Sequence, residues 1–208
     1  MEKVELIVLT KSSKFSGYCV AGIERKSGKW IRLVTENVTS HGAVEEKNLI
    51  YEDGGCCKIL DIIEAPVISG MEDVLQPENV LLVVSEYIRF LGRATMEDVL
   101  KVHPVEMKNF IFGNQYQYVT EQKVEEIGYS LTLVEVHDLY IKQVINPEGK
   151  CKTKADFIYQ GYKYENMSVT DYRFYSIEEM LYAGAYIVVS IGTPYNGRYY
   201  KFISAIYL

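Results

Sequence analysis

The sequence predicts a mainly β fold with short helices, arranged as two halves that each close into a small barrel or a strongly bent sheet. Three observations carry this. Short runs of alternating apolar and polar residues recur from Val4 to Tyr207, the period of a half-buried strand. Glycine, asparagine and proline clusters such as Ser27-Gly28, Gly54-Gly55 and Asn146-Pro147-Glu148-Gly149 separate the runs, as turns do. There are 18 tyrosines against 7 phenylalanines, and tyrosine favours strands and half-buried faces, where its ring is covered and its hydroxyl stays wet.

Taken in order, Val4–Thr10 is the first strand, Tyr18–Ile23 the second and Lys29–Val34 the third, the last two joined through the Ser27-Gly28 turn as a hairpin. Thr35–Asp53 is polar and reads as loop. Lys58–Ile63 is a strand, and residues 65–79 form a loop with a short turn at 71–75. Val80–Val84 is apolar but too short for periodicity to assign. Thr95 with Asp98 resembles a capping box opening a helix that Pro104 ends. Val105–Gly128 reads as two short helices, with Thr120 and Gly128 capping the second. Strands return at Ser130–Ile145, Lys150–Tyr159 and Gly161–Asp171. Ser176-Ile177-Glu178-Glu179 reads as a capping box for a helix ending at Gly184, and Tyr186–Ile191 and Tyr199–Tyr207 close the chain. The halves are expected to be residues 1–112, with a helical insert, and 113–208.

Bulk properties exclude several classes. A net charge of −6 argues against strong sequence-independent binding to duplex DNA, which needs many phosphate-neutralising cations. It leaves room for a local basic groove, because the field there follows distribution rather than sum. No apolar run reaches membrane-spanning length, and the acidic, short-cored N-terminus does not read as a signal peptide. A cytoplasmic location is therefore expected. The four cysteines include no C-x-x-C pair and lie far from the three histidines, so no metal site is predicted. The adjacent Cys56-Cys57 after two glycines offers a reactive thiol, although packed, idle thiols are the commoner outcome.

Lys11–Val34 mixes small residues, cations and the single tryptophan. Its run of Lys11, Ser12 or Ser13, Lys14, Gly17, Cys19-Val20-Ala21-Gly22 and Trp30-Ile31-Arg32 is joined by Gln76-Pro77-Glu78-Asn79. It is joined also by Val189-Ser190-Ile191-Gly192 with Tyr200-Lys201. Together these resemble the bacterial dual OB-containing domain proteins over nearly the whole chain. The resemblance implies two OB-like barrels and a role in nucleic-acid or nucleotide recognition. It carries no catalytic residues.

OB barrels hold single strands with aromatic platforms for bases and cations along the backbone. On that expectation Trp30 stacks a base while Lys11, Lys14 and Arg32 meet phosphates. Alternation puts Trp30 and Arg32 on one strand face and Ile31 and Leu33 on the other, so the first pair faces outward if the second is core. The competing reading places the tryptophan in the core. A second candidate surface gathers Lys150, Lys152 and Lys154, which share one strand face, with Tyr159 nearby; the competing reading is lysines guarding an exposed sheet edge.

No phosphate loop, dinucleotide fingerprint, nucleophile elbow or zinc-protease motif is present. The sequence therefore predicts a non-enzymatic module, without cofactor, that binds single-stranded nucleic acid or a nucleotide-like anion. The alternative is an adaptor whose tyrosine-rich strands dock a protein partner. No membrane association is expected.

Overall fold

Strand pairing, more than helix formation, organises this chain. The structure is a computed structural model that describes residues 1–68 and 74–208. The turn expected at 71–75 lies largely outside the described residues. The chain divides into two units, Met1–Pro104 and Val105–Leu208. The division precedes residue 112 because Val105–Asn114 is tied into the second unit: the Glu106 amide donates to the Leu133 carbonyl, and Lys201 donates to Ile111 and Asn114.

In the first unit, β1 (Glu2–Lys14), β2 (Gly17–Glu24) and β3 (Trp30–Val34) form an antiparallel meander. They are followed by β4 (Asp61–Ile68), β5 (Asn79–Leu82) and β6 (Arg89–Arg93). The strand order is β1-β2-β3-β5-β4, and β4 also pairs with β1. Five strands thus close on themselves, with β3 and β5 running parallel, and β6 adds to the free side of β4. The core inside is Leu6, Val8, Val20, Leu33, Val44, Leu49, Ile63 and their neighbours. A bulge between Val8 and Thr10 lets β1 bend around it. Gly22 faces β1 there, and a Cβ at this position would lie 2.1 Å from the Ile7 carbonyl oxygen, so only glycine permits the close approach. The helix α1 (Met96–Val102) opens on the expected capping box, with Thr95 and Asp98 bonded reciprocally.

The second unit repeats the plan. After the short β7 (Tyr118–Val119) and α2 (Glu121–Ile127), which ends at the left-handed Gly128, come β8 (Leu131–Ile145), β9 (Cys151–Tyr159), β10 (Tyr162–Val169), β11 (Glu179–Tyr195) and β12 (Arg198–Tyr207). Their order is β10-β9-β8-β11-β12, closed by a parallel β10–β12 pairing. Taking β8 to β12 as first to fifth strand gives the same closed order, with third and fifth parallel. Ala155, Phe157, Tyr159, Tyr164, Met167, Val188 and Ile203 are buried.

Two helix expectations are corrected. Residues 176–184 do not form a helix: Glu179 to Tyr182 pair with Lys142 to Leu139 in the long β11–β8 ladder, and that pairing overrides the local capping signal. The first helix expected within 105–128 is only a single 3-10 turn, Ile111–Gly113, with Phe112 at positive φ. Among the described residues no helix is long and apolar enough to cross a membrane.

Candidate binding surfaces on two OB barrels

On the first barrel, Ile31 packs against the core cluster and Leu33 belongs to it. Trp30 and Arg32 therefore point out of the barrel, as alternation predicts. Facing outward has not left Arg32 exposed. It lies in a row Thr10–Ala21–Arg32–Asn79 across four strands, and all four residues are buried. The Arg32 amide donates to the Glu78 carbonyl, and Nη1 lies 3.4 Å from Asn79 Oδ1. Two stretches singled out in the sequence, Trp30-Ile31-Arg32 and Gln76–Asn79, thus meet through β3 and β5.

The other cations of this stretch separate by strand parity. Lys14, paired opposite Gly17, lies on the Arg32 side. Its ammonium donates to the His41 carbonyl at 2.6 Å, and burial, reinforced by the nearby Arg32 charge, holds its pKa below the usual lysine value. Lys11 pairs opposite Val20, whose partner on β3 is Leu33, and this is the core-facing row. Its ammonium reaches the Cys57 carbonyl at 3.1 Å and lies 4.6 Å from the Tyr18 ring centre. The expected phosphate contact from Lys11 is therefore corrected: a buried lysine anchored to backbone cannot track a strand on the opposite face. Trp30 is half-buried, its indole edge-on to His103 at 5.5 Å, while His103 Nδ1 lies 2.8 Å from the Gly28 carbonyl. This aromatic is engaged with the end of α1 rather than presented as a free platform. Cys57 is buried, and burial pushes its thiol up to about 12, which makes it a poor nucleophile.

On the second barrel the basic strand divides likewise. Lys152 and Lys154 face outward, whereas Thr153, Ala155, Phe157 and Tyr159 face in. Tyr159 is corrected as a ligand contact: it is 1% exposed and donates its hydroxyl hydrogen to the Glu106 carbonyl. Lys150 precedes the strand and pairs with Glu148 at 3.2 Å. Nor is Lys154 on a sheet edge, because β9 pairs with β8 at Lys142 and with β10 at Ser168.

Lys154, Ser168, Phe202 and Ser190 make an outward row across β9, β10, β12 and β11, with Lys154 Nζ donating to Ser168 Oγ at 2.8 Å. A cleft of ≈ 530 Å³ opens here, lined by Lys152, Lys154, Ser168, Thr170, Tyr175 and Phe202 among others. Burial and the Lys152 charge lower the Lys154 pKa. Two ammonium groups thus share one half-enclosed wall.

Sequence reasoning missed the other end of this face. On β12, Tyr199, Lys201 and Ile203 are buried, so Arg198, Tyr200 and Phe202 alternate outward. Tyr195, Tyr200, Tyr118 and Tyr116 form a chain of ring neighbours 5.9 to 6.5 Å apart, and the Arg198 guanidinium lies 4.3 Å over Tyr118. A second depression of ≈ 400 Å³ is lined by Tyr116, Tyr118, Tyr200, Arg198 and Lys163. The signal was available in the spacing of Arg198, Tyr200 and Phe202 but needed the strand assignment to be read.

One chain thus holds two five-strand barrels with the same closed order. The profile of the dual OB-containing domain matches residues 4–206. The chain belongs to this family. No curated protein and no solved structure matches it. Membership accounts for the repeated strand order, with β1–β5 and β8–β12 each making one OB barrel. Among the described residues no group of histidine, cysteine and carboxylate side chains is placed to hold a metal ion.

Proposed function

We propose that this dual-OB chain is a non-enzymatic recognition module for single-stranded nucleic acid or a nucleotide-like anion, and that its strand-binding surface is the outer face of β9, β10 and β12. The carrying observation is the cleft in which Lys152 and Lys154 stand beside Phe202 and Tyr175. Single strands are held by cations at the phosphates and aromatic faces under the bases. This face offers both, and from it β12 runs on through Tyr200 to Arg198 and the tyrosine chain. OB barrels bind oligonucleotides on the face of their second and third strands and on the loops flanking it. Here those strands are β9 and β10, and the fourth-to-fifth loop is the Asn196-Gly197 turn between Tyr195 and Arg198. The overall acidity favours this local mode over general duplex binding.

The test is binding of fluorescent single-stranded oligonucleotides across a salt series. Neutralising both lysines in Lys152→Ala/Lys154→Ala is expected to reduce the log K against log salt slope by about 1.4, two contacts at ~0.7 each. Tyr200→Ala or Phe202→Ala is expected to weaken binding by about 1–3 kcal/mol. A flat salt response, or variants that bind like the parent, would remove the reading. Co-purification of a stoichiometric protein without nucleic acid would replace it with an adaptor role.

A further inference from the structure

The first barrel carries a different kind of feature. Arg32 is 2% exposed, and its Nε and Nη2 have no hydrogen-bond partner. Those two nitrogens lie on one edge of the guanidinium, the edge whose parallel N–H bonds grip two oxygens of a phosphate or carboxylate. Nη1 is the nitrogen that meets protein, at 3.4 Å from Asn79 Oδ1. A buried charged donor without a partner is costly, and a whole unpaired edge is hard to account for as packing.

The surroundings sharpen the point. Lys14 lies close enough for the Arg32 charge to lower its pKa, and its hydrogen bond goes to a neutral carbonyl, that of His41. Among the described residues neither cation has an ion-pair partner, whereas thirteen such pairs form elsewhere among them. Arg32, with its free donor edge, and Lys14, two rows along the same strand face, together match a ligand of charge near −2. Lys14, Gly17 and Cys19, farther along the same face toward the hairpin end, are half-buried rather than sealed. Ser12, on the same strand face as Lys14, adds a hydroxyl.

We infer that Arg32 and Lys14 form a discrete oxyanion site on the first barrel that takes a phosphate dianion, with the Nε–Nη2 edge of Arg32 bonding two oxygens and Lys14 supplying a second positive charge on the same face. The source is either inorganic phosphate or the terminal phosphate of a nucleotide or 5′-phosphorylated strand. The site is independent of the lysine cleft on the second barrel.

The experiment is thermal unfolding of the full chain in sodium phosphate and in sodium chloride of equal ionic strength, with wild type, Arg32→Met and Lys152→Ala/Lys154→Ala. Wild type is expected to gain several degrees, saturating with phosphate concentration. The lysine double variant should keep that gain. Arg32→Met should lose it while melting no lower than wild type in chloride, because an unpaired buried charge has been removed. A merely structural arginine would instead give a less stable variant. If Arg32→Met does not fold, Lys14→Ala, at a half-exposed position, should weaken the phosphate response at least tenfold in midpoint concentration. Equal melting of wild type in both salts, or an undiminished gain in Arg32→Met or Lys14→Ala, would overturn the assignment. A larger gain with acetate or citrate than with phosphate would overturn it too, making the site one for carboxylates. Adenosine monophosphate beside adenosine separates the sources: a gain with the monophosphate alone extends the site to nucleotide ends, and a gain equal for both denies a phosphate site.

Discussion

Lys201 donates to Asn114 twice, to the backbone oxygen at 2.7 Å and to Oδ1 at 2.8 Å, and completes its three bonds with the Ile111 carbonyl at 2.7 Å. The residue is 1% exposed on the inner face of β12. It therefore pins the segment before β7 to the inside of the second barrel. Tyr164 supports the same segment, accepting from the Ile111 amide and donating to the Asn114 carbonyl.

Replacing this lysine should cost stability. Lys201→Met keeps much of the volume but leaves the Ile111 and Asn114 oxygens short of donors, and a buried acceptor without a partner costs about 1–3 kcal/mol. A loss of about 3 kcal/mol in urea unfolding is expected. An unchanged or more stable variant would mean that the cost of burying the ammonium exceeds the worth of its three bonds.

The same residue should give stability a distinctive pH dependence. Burial lowers its pKa from 10.5 to about 7. Between those values the unfolded chain binds a proton that the folded chain releases, so stability rises with pH across that window, by at most about 1.4 kcal/mol per unit. Below about 7 both states are protonated and the contribution is flat. Near 10 the trend reverses, because burial raises Tyr159 to about 12 and Tyr207 higher still, and the unfolded state there loses protons first. The check is the wild-type minus Lys201→Met difference in unfolding free energy from pH 6 to 10. A difference that does not change with pH would show that the ammonium titrates normally.

Local periodicity was enough to locate most strands and to point Trp30 and Arg32 out of the first barrel. Parity held further information: Lys11 and Lys14 are three apart and Lys154 and Tyr159 five apart, odd spacings that put each pair on opposite faces of a strand. What one dimension does not contain is closure. The β1–β4 and β10–β12 pairings join residues far apart in sequence, and they decide which outward positions are covered. Arg32 thus has an outward-facing position and a buried environment at once. Long-range pairing is also why Glu179 to Gly184, with a good helix-start signal, extends as strand against β8.

Asp171 should be the most sensitive carboxylate of the second barrel. It is fully buried and accepts from Arg173 Nε at 2.9 Å, Arg173 Nη2 at 2.7 Å and the Ile206 amide at 3.0 Å, fastening the turn after β10 to β12. Asp171→Asn halves the acceptor set and leaves Arg173 without its counter-charge. Because Arg173 is 38% exposed, water recovers part of the loss, and about 2 kcal/mol of destabilisation is expected rather than the ~3–5 of a wholly buried pair. Denaturant midpoints at neutral pH measure it, and a variant within 0.5 kcal/mol, a margin typical of indifferent surface changes, would show that the ion pair is idle.

Glycine substitutions should separate close packing from backbone conformation. At Gly22 a Cβ would meet the Ile7 carbonyl oxygen at 2.1 Å and its carbon at 2.8 Å. Both atoms belong to the neighbouring strand, so no side chain can swing aside to relieve the clash. Gly22→Ala must push β1 and β2 apart beside the bulge, at a cost of about 3 kcal/mol, the upper part of the overpacking range. Gly161 has φ +79 and nothing within 4 Å of its Cβ position; there alanine meets only the left-handed backbone penalty, about 1–2 kcal/mol. Thermal unfolding of the two variants should rank Gly22→Ala well below Gly161→Ala. The reverse order would mean that β1 and β2 can separate freely, and that the bend at Val8 is not what holds the first barrel closed.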